Sequence, residues 1–216
     1  KKGDNLDGSF GKVQKYHVVR FSAVIKLENL GKGAFGEVFR VFDKDERNFY
    51  ALKEIKRQNF EKAVQFQNTI WTEMRNLLKV HDSHDTSLLN IFGINVKSET
   101  GVCSFLMELG SGTLHEYNQF RLQNSIAWKE EELLSILYQL VVQLDKLNNL
   151  GIFHRDVKPE NIIVTNNQNK LKLSDLGCAW LAEEGTKSFN IAGTPYFMAP
   201  ELAQALVSKQ RRVEYN

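Results

Sequence analysis

Long apolar runs are missing from this 216-residue chain, and so is any strong charge imbalance: 28 basic and 26 acidic side chains leave a formal net charge of +2. No stretch approaches the roughly 18 apolar residues of a membrane span. A balance that close creates no field pointing to nucleic acid or an anionic membrane as partner. Cysteine is scarce too. Cys103 and Cys178 can neither build a disulfide framework nor supply four zinc ligands, so two free thiols in a reducing compartment are expected. The opening Lys1-Lys2-Gly3-Asp4-Asn5 is charged with no apolar stretch behind it, which is not the pattern of a signal peptide. The default expectation is an intracellular, cytoplasmic protein with no nucleic acid or membrane partner. Oligomeric state is left open.

Proline occurs three times, at Pro159, Pro195 and Pro200, all in the last third and each inside a cluster of unusual residues. Proline fixes one torsion and removes an amide donor, so these clusters read as shaped loops. What is present is ordinary: 42% hydrophobic and 25% charged residues, as in a globular chain and unlike a disordered or collagen-like one. The length suits one large domain or two small ones.

Residues 1–20 are polar and mixed, an N-terminal extension. Strands are expected at 24–30, 37–42 and 49–55, the last with Phe49, Ala51, Lys53 and Ile55 on one face. Residues 61–80 change to helical period, with Ile70, Met74 and Leu77 in step. Two further strands fit 88–96 and 102–109. Beyond them the chain is mostly helical: residues 128–150 carry a stripe of leucines that Gly151 stops. A small hairpin fits 162–173, around the turn residues 166–169. No period holds from 175 to 200.

Gly31-Lys32-Gly33-Ala34-Phe35-Gly36 fits G-x-G-x-x-G. In a dinucleotide fold that loop opens a helix. Here strand-like residues 37–42 follow, so a hairpin lid fits better, its glycines letting backbone amides approach phosphate oxygens. From the loop alone, a plain glycine-containing hairpin reads equally well. Gly8-Ser9-Phe10-Gly11-Lys12 echoes half of such a loop, but Leu6 stands where the first glycine would be, and the echo reads as coincidence.

Seventeen residues after Gly36 comes Lys53. Twenty further, Glu73 lies between Ile70 and Leu77 on the apolar side of its helix. A carboxylate there is costly unless paired, and Lys53 is the natural partner. Then His154-Arg155-Asp156-Val157-Lys158-Pro159-Glu160-Asn161 appears, an eight-residue run whose seven defining letters would match by chance at roughly one in a billion starting points, at about one in twenty per position. Asp175-Leu176-Gly177, Gly193-Thr194-Pro195-Tyr196 and Ala199-Pro200-Glu201 follow in order. This ordered set resembles the eukaryotic protein kinase family, serine/threonine branch, over about residues 24–205. Lys158 and the Gly193-Thr194 pair carry the resemblance to that branch.

The resemblance implies an α+β, two-lobed protein-kinase-like fold: a five-stranded N-lobe sheet with one helix, at about 21–109, and a partial helical C-lobe at about 110–216. It implies that Gly31, Gly33 and Gly36 cover the phosphates of ATP, and that Lys53, held by Glu73, grips them. Asp156 would accept the proton of a Ser/Thr hydroxyl on a protein substrate, and Lys158 would neutralise the moving phosphoryl group. Asn161 and Asp175 would bind Mg2+. Val38, Ala51 and Ile163 would sandwich adenine, Met107 would back the pocket, and backbone groups from Glu108 to Gly110 would bond the adenine edge. Cations must bracket the phosphate chain because the transferring group is loose and anionic.

Leu176 replaces the phenylalanine usual in this motif and is expected to fill the same gap beside Leu77, Ile91 and His154. Arg155 in the family often meets a phosphorylated activation loop, yet Asn190 holds the common position; Thr186 or Ser188 is expected to serve instead. Fifteen residues follow Glu201, where a family member continues for about 80 more, within ordinary domain size. The expectation is a C-terminally truncated lobe, apolar surface exposed over 133–147, and weak or no activity for the chain alone. Two alternatives stay open: a kinase-like nucleotide- or partner-binding module without catalysis, and a small-molecule kinase on a related fold.

Overall fold

A computed structural model describes residues 21–33, 36–97, 99–165, 170–182, 188–210 and 212–214. The extension at 1–20, its glycine echo, the turn at 166–169 and Thr186 lie outside the described residues.

Period-two sequences make the first sheet. Strands β1 (Val24–Lys32), β2 (Glu37–Asp43), β3 (Asn48–Lys56), β4 (Ile91–Lys97) and β5 (Val102–Met107) pair antiparallel in the order β1-β2-β3-β5-β4. β3 is central and is buried on both faces from Tyr50 to Ile55. Tyr50 and Leu52 join Val41 and Leu106 in a small outer cluster, covered by Phe21, Phe39 and Phe92. Ile55 joins the main core with Phe105. Helix α1 (Ala63–Asp82) lays Ile70, Met74 and Leu77 on that core, as its 3- and 4-residue steps require. The expected strand at 88–96 begins only at Ile91. Leu88 and Leu89 are buried core residues of the preceding connection, and apolar content alone does not distinguish the two.

Gly112–Thr113 (β6) leads into helix α2 (Leu114–Gln123), where Thr113 and Glu116 cap each other reciprocally. Helix α3 (Glu130–Asn149) opens on three glutamates, which suit the positive end of its dipole, and closes before Gly151 at φ +71°. Asp85 and Ser87, between α1 and β4, are both held by Lys146 of α3 (2.7 and 2.9 Å), which ties the sheet unit to the helical part.

The expected hairpin is β8 (Ile162–Val164) with β9 (Leu171–Leu173), joined by β6. β7 (Ile152–Phe153) pairs β10 (Trp180–Leu181), and β11 (Ser188–Asn190) pairs β12 (Arg212–Glu214) across helix α4 (Pro200–Val207). The apolar face expected over 133–147 is exposed in its first half: Leu133, Leu134, Leu137, Tyr138 and Val141 are 49–71% accessible, while Leu147 is buried.

Candidate active site

Strand period brings Lys53 to the α1 side of β3, and helical period brings Glu73 to meet it. Lys53 Nζ lies 2.5 Å from Glu73 Oε1, with side chains 7% and 1% accessible. The same ammonium reaches Asp175 Oδ1 at 2.8 Å. Burial disfavours a charge on Lys53, but Glu73 and Asp175 more than offset it and hold the ammonium above the ordinary lysine range. Burial pushes Glu73 upward, against the pull of Lys53. Asp175 is half-open; burial opposes its ionisation too, and Lys53 reverses the sign, leaving the carboxylate below its ordinary range.

Asp175 sits just past β9 in the left-handed region at φ +60°. Its Oδ1 also accepts from Gly177 N at 3.1 Å. Leu176 is buried in the cluster that holds Leu77 and Ile91, as expected.

The segment after β7 carries the second group of residues. Asp156 is 7% accessible. Its Oδ1 accepts from Thr194 N at 2.8 Å; its Oδ2 faces Asn161 Nδ2 at 3.0 Å and Lys158 Nζ at 2.9 Å. Burial works against ionisation, yet Thr194 and Lys158 outweigh it and the pKa falls below the ordinary aspartate value. Lys158 Nζ is also bonded to Thr194 Oγ1 at 2.7 Å. Ser174 N and Oγ both donate to Asn161 O, and His154 Nε2 bonds Ser174 O at 2.9 Å, so the 154–161 loop and the Asp175 turn are stitched together. Thr194 was missed as a site residue from sequence. Its motif was visible, but a contact spanning 38 residues carries no local signal.

Gly33 N closes the glycine loop on Gly36 O at 2.8 Å; Ala34 and Phe35 lie outside the described residues. A Cβ at Gly36 would fall 2.3 Å from Glu54 O, so this glycine is needed for packing, while Gly31 faces open space. Val38 stands beside Lys53 in the β2–β3 register, and Ala51 pairs with Met107. A Cβ on Gly110 would meet Ile163 Cγ2, which places the connection after β5 directly against β8. Glu108 N is committed to Asn90 O at 3.0 Å and its carboxylate to Lys172 at 2.6 Å. Two cavities, of about 570 Å³ between α1 and β4 and about 450 Å³ beside Tyr50 and Lys172, include none of Lys53, Asp156 or Asp175.

Arg155, at φ +63°, donates from Nε to Cys178 O and from Nη1 to Asn190 O, both at 2.7 Å. Backbone carbonyls occupy these two donors.

The family profile described as "Protein kinase domain" matches residues 24–214. The chain belongs to the protein kinase family. Rhodopsin kinase of Rattus norvegicus is 35% identical over 176 residues, 80% of this chain and 30% of that protein. A probable serine/threonine-protein kinase of Dictyostelium discoideum is 32% identical over 198 residues, 88% of this chain and 41% of that protein. Serine/threonine-protein kinase 32C of Mus musculus is 27% identical over 190 residues, 88% of this chain and 37% of that protein. The chain thus spans a third or so of the length of these curated relatives. Protein kinase domains in general use ATP and a divalent metal.

The donor set fits such a metal. Among the described residues no group of three or more His, Cys, Asp or Glu side chains could hold an ion by itself. Asp175 is ionised, and Asn161 turns its amide nitrogen to Asp156, presenting its carbonyl oxygen elsewhere. Two protein oxygens completed by phosphate and water suit Mg2+. Among the described residues no helix is long and apolar enough to cross a membrane.

Proposed function

We propose that residues 21–216 of this chain belong to a protein serine/threonine kinase catalytic domain, with the N-lobe at about 21–109 and the C-lobe from about 110, acting on protein substrates. Asp156 carries the reading: one carboxylate oxygen is fixed by Thr194 N and the other faces Asn161 and Lys158.

Lys53 grips the phosphate chain of ATP from the buried pair with Glu73. Gly31, Gly33 and Gly36 lie over it. Asn161 and Asp175 would hold Mg2+, which when bound neutralises phosphate charge. Val38, Ala51, Met107 and Ile163 enclose the base, with backbone groups from Glu108 to Gly110 at its edge. Asp156 orients the substrate hydroxyl and takes its proton as the oxygen bonds to the γ-phosphorus and the bond to ADP breaks. Lys158 offsets charge on the moving phosphoryl group, and Thr194 holds both residues in register. The two free thiols, Cys103 and Cys178, support action in a reducing, cytoplasmic compartment.

The test is transfer of labelled phosphate from Mg-ATP to a generic Ser/Thr protein. Incorporation on serine or threonine that disappears in Asp156→Asn supports the reading. A folded chain that does not bind Mg-ATP, or equal incorporation by Asp156→Asn, overturns it.

A further inference from the structure

Helix α1 carries a second buried polar side chain one turn past Glu73. Asn76 is 0% accessible. Its Nδ2 donates to Ala179 O at 3.4 Å. Its Oδ1 has no hydrogen-bond partner among the described residues, and neither has Glu73 Oε2. An amide buried with one atom unmatched costs stability that a leucine at the same place would not. The position is therefore poorly explained by packing.

The partner carbonyl lies at a junction. Ala179 is itself fully buried, and its N–H donates to Leu176 O, closing the turn that begins at Asp175. The next residue enters β10, where Trp180 pairs with Phe153 and Leu181 with Ile152. β7 then runs into His154, Arg155 and Asp156.

We infer that Asn76 is a positioning residue that ties α1, and with it the Glu73–Lys53 pair, to the Asp175 turn and through β10–β7 to the Asp156 loop. Helix and turn then move as one, and Lys53 meets Glu73 and Asp175 together. The nucleotide half of this inference rests on the proposed kinase function; the mechanical half does not.

The test uses Asn76→Leu and Asn76→Asp in the 216-residue chain, with melting temperature, backbone hydrogen exchange and the Kd of the non-hydrolysable probe Mg–AMP-PNP as readouts. In Asn76→Leu the melting temperature stays level or rises, because the unmatched oxygen is gone. Exchange over 176–182 speeds up while that of 140–147 does not, and Mg–AMP-PNP binds about fivefold or more weakly, the scale of a coupling between sites. Asn76→Asp, which sets an oxygen against Ala179 O, speeds exchange over 176–182 and weakens Mg–AMP-PNP binding more strongly, and lowers the melting temperature. In a Glu73→Gln background, Asn76→Leu adds no further loss of affinity. In Asn76→Leu, unchanged exchange over 176–182, or exchange and melting temperature worsening together across the whole chain, overturns the inference. If the parent chain fails to bind Mg–AMP-PNP, the kinase reading fails by itself, and the exchange arm still decides whether Asn76 makes the tie.

Discussion

Lys53 Nζ stands 2.5 Å from Glu73 Oε1 and 2.8 Å from Asp175 Oδ1, so a single buried ammonium joins β3, α1 and the turn after β9. Removing it leaves Glu73 buried in the core without its partner. Lys53→Met is expected to cost about 3–5 kcal/mol of folding stability. Adding Glu73→Leu to it should restore most of that loss, since an apolar pair of similar volume needs no desolvation. Urea unfolding of the single and double variants checks both, and a double variant as weak as the single would contradict them.

A different dependence comes from His154. Burial holds its imidazole below the ordinary value of 6.5, against the pull of Ser174 O, and its Nδ1 accepts from Asp156 N at 3.3 Å, which only the neutral ring can do. The unfolded chain therefore takes up this proton first as pH falls. Stability contributed by the neutral ring is complete above pH 6.5 and is lost as pH drops toward the lower folded value. The slope from this one group is at most about 1.4 kcal/mol per pH unit. Unfolding free energies at pH 7.5, 6.5 and 5.5 should fall less steeply in His154→Phe than in the parent. Equal slopes would show that the ring titrates freely.

Gly193 adopts φ +112°, and a Cβ there would lie 2.3 Å from Arg155 O. Gly193→Ala must shift the backbone that presents Thr194 N to Asp156. Phosphate transfer is expected to fall by about tenfold or more, as misplaced reacting groups do, with nucleotide affinity retained. Unaltered transfer in the alanine variant would separate Thr194 from the chemistry.

The exposed face of α3 makes a prediction about solution behaviour. Leu134, Leu137 and Tyr138 are 57%, 57% and 71% accessible and lie on adjacent turns. A contiguous apolar patch of this kind drives association. Sedimentation velocity should show concentration-dependent self-association, reduced when all three become glutamine, with little change in melting temperature. A parent chain that stays monomeric at high concentration would contradict this.

Much of this site could be read in the sequence because two periods and one motif crossed there. Lys53 lay on an inward strand face, Glu73 on an inward helix face, and the resemblance of the 154–161 run to the kinase motif pointed to Asp156 and Asn161. What escaped were contacts between distant loops: Thr194 on Asp156, Asn76 on Ala179 and Lys172 on Glu108. No local pattern announces hydrogen bonds that span 38, 64 and 103 residues. Helix α2 was not singled out either, because Tyr117, Phe120 and Leu122 do not form a buried stripe and Arg121 is its one buried residue. That arginine is held by Glu132 through two 2.9 Å bonds and stacks on Trp128, interactions the binary pattern cannot show. Helix α4 did have a signal, Pro200 at its first turn, which reads as a helix start as readily as a loop.

The most direct measurement is the melting temperature of the chain with and without saturating Mg-ATP, for the parent and for the Lys53→Met/Glu73→Leu double variant. A ligand at a hundred times its Kd adds about 2.7 kcal/mol to the folded state. The parent should melt several degrees higher with Mg-ATP and the double variant should not respond. A folded parent that melts at the same temperature in both conditions, or a double variant that responds equally, would contradict a phosphate grip by Lys53.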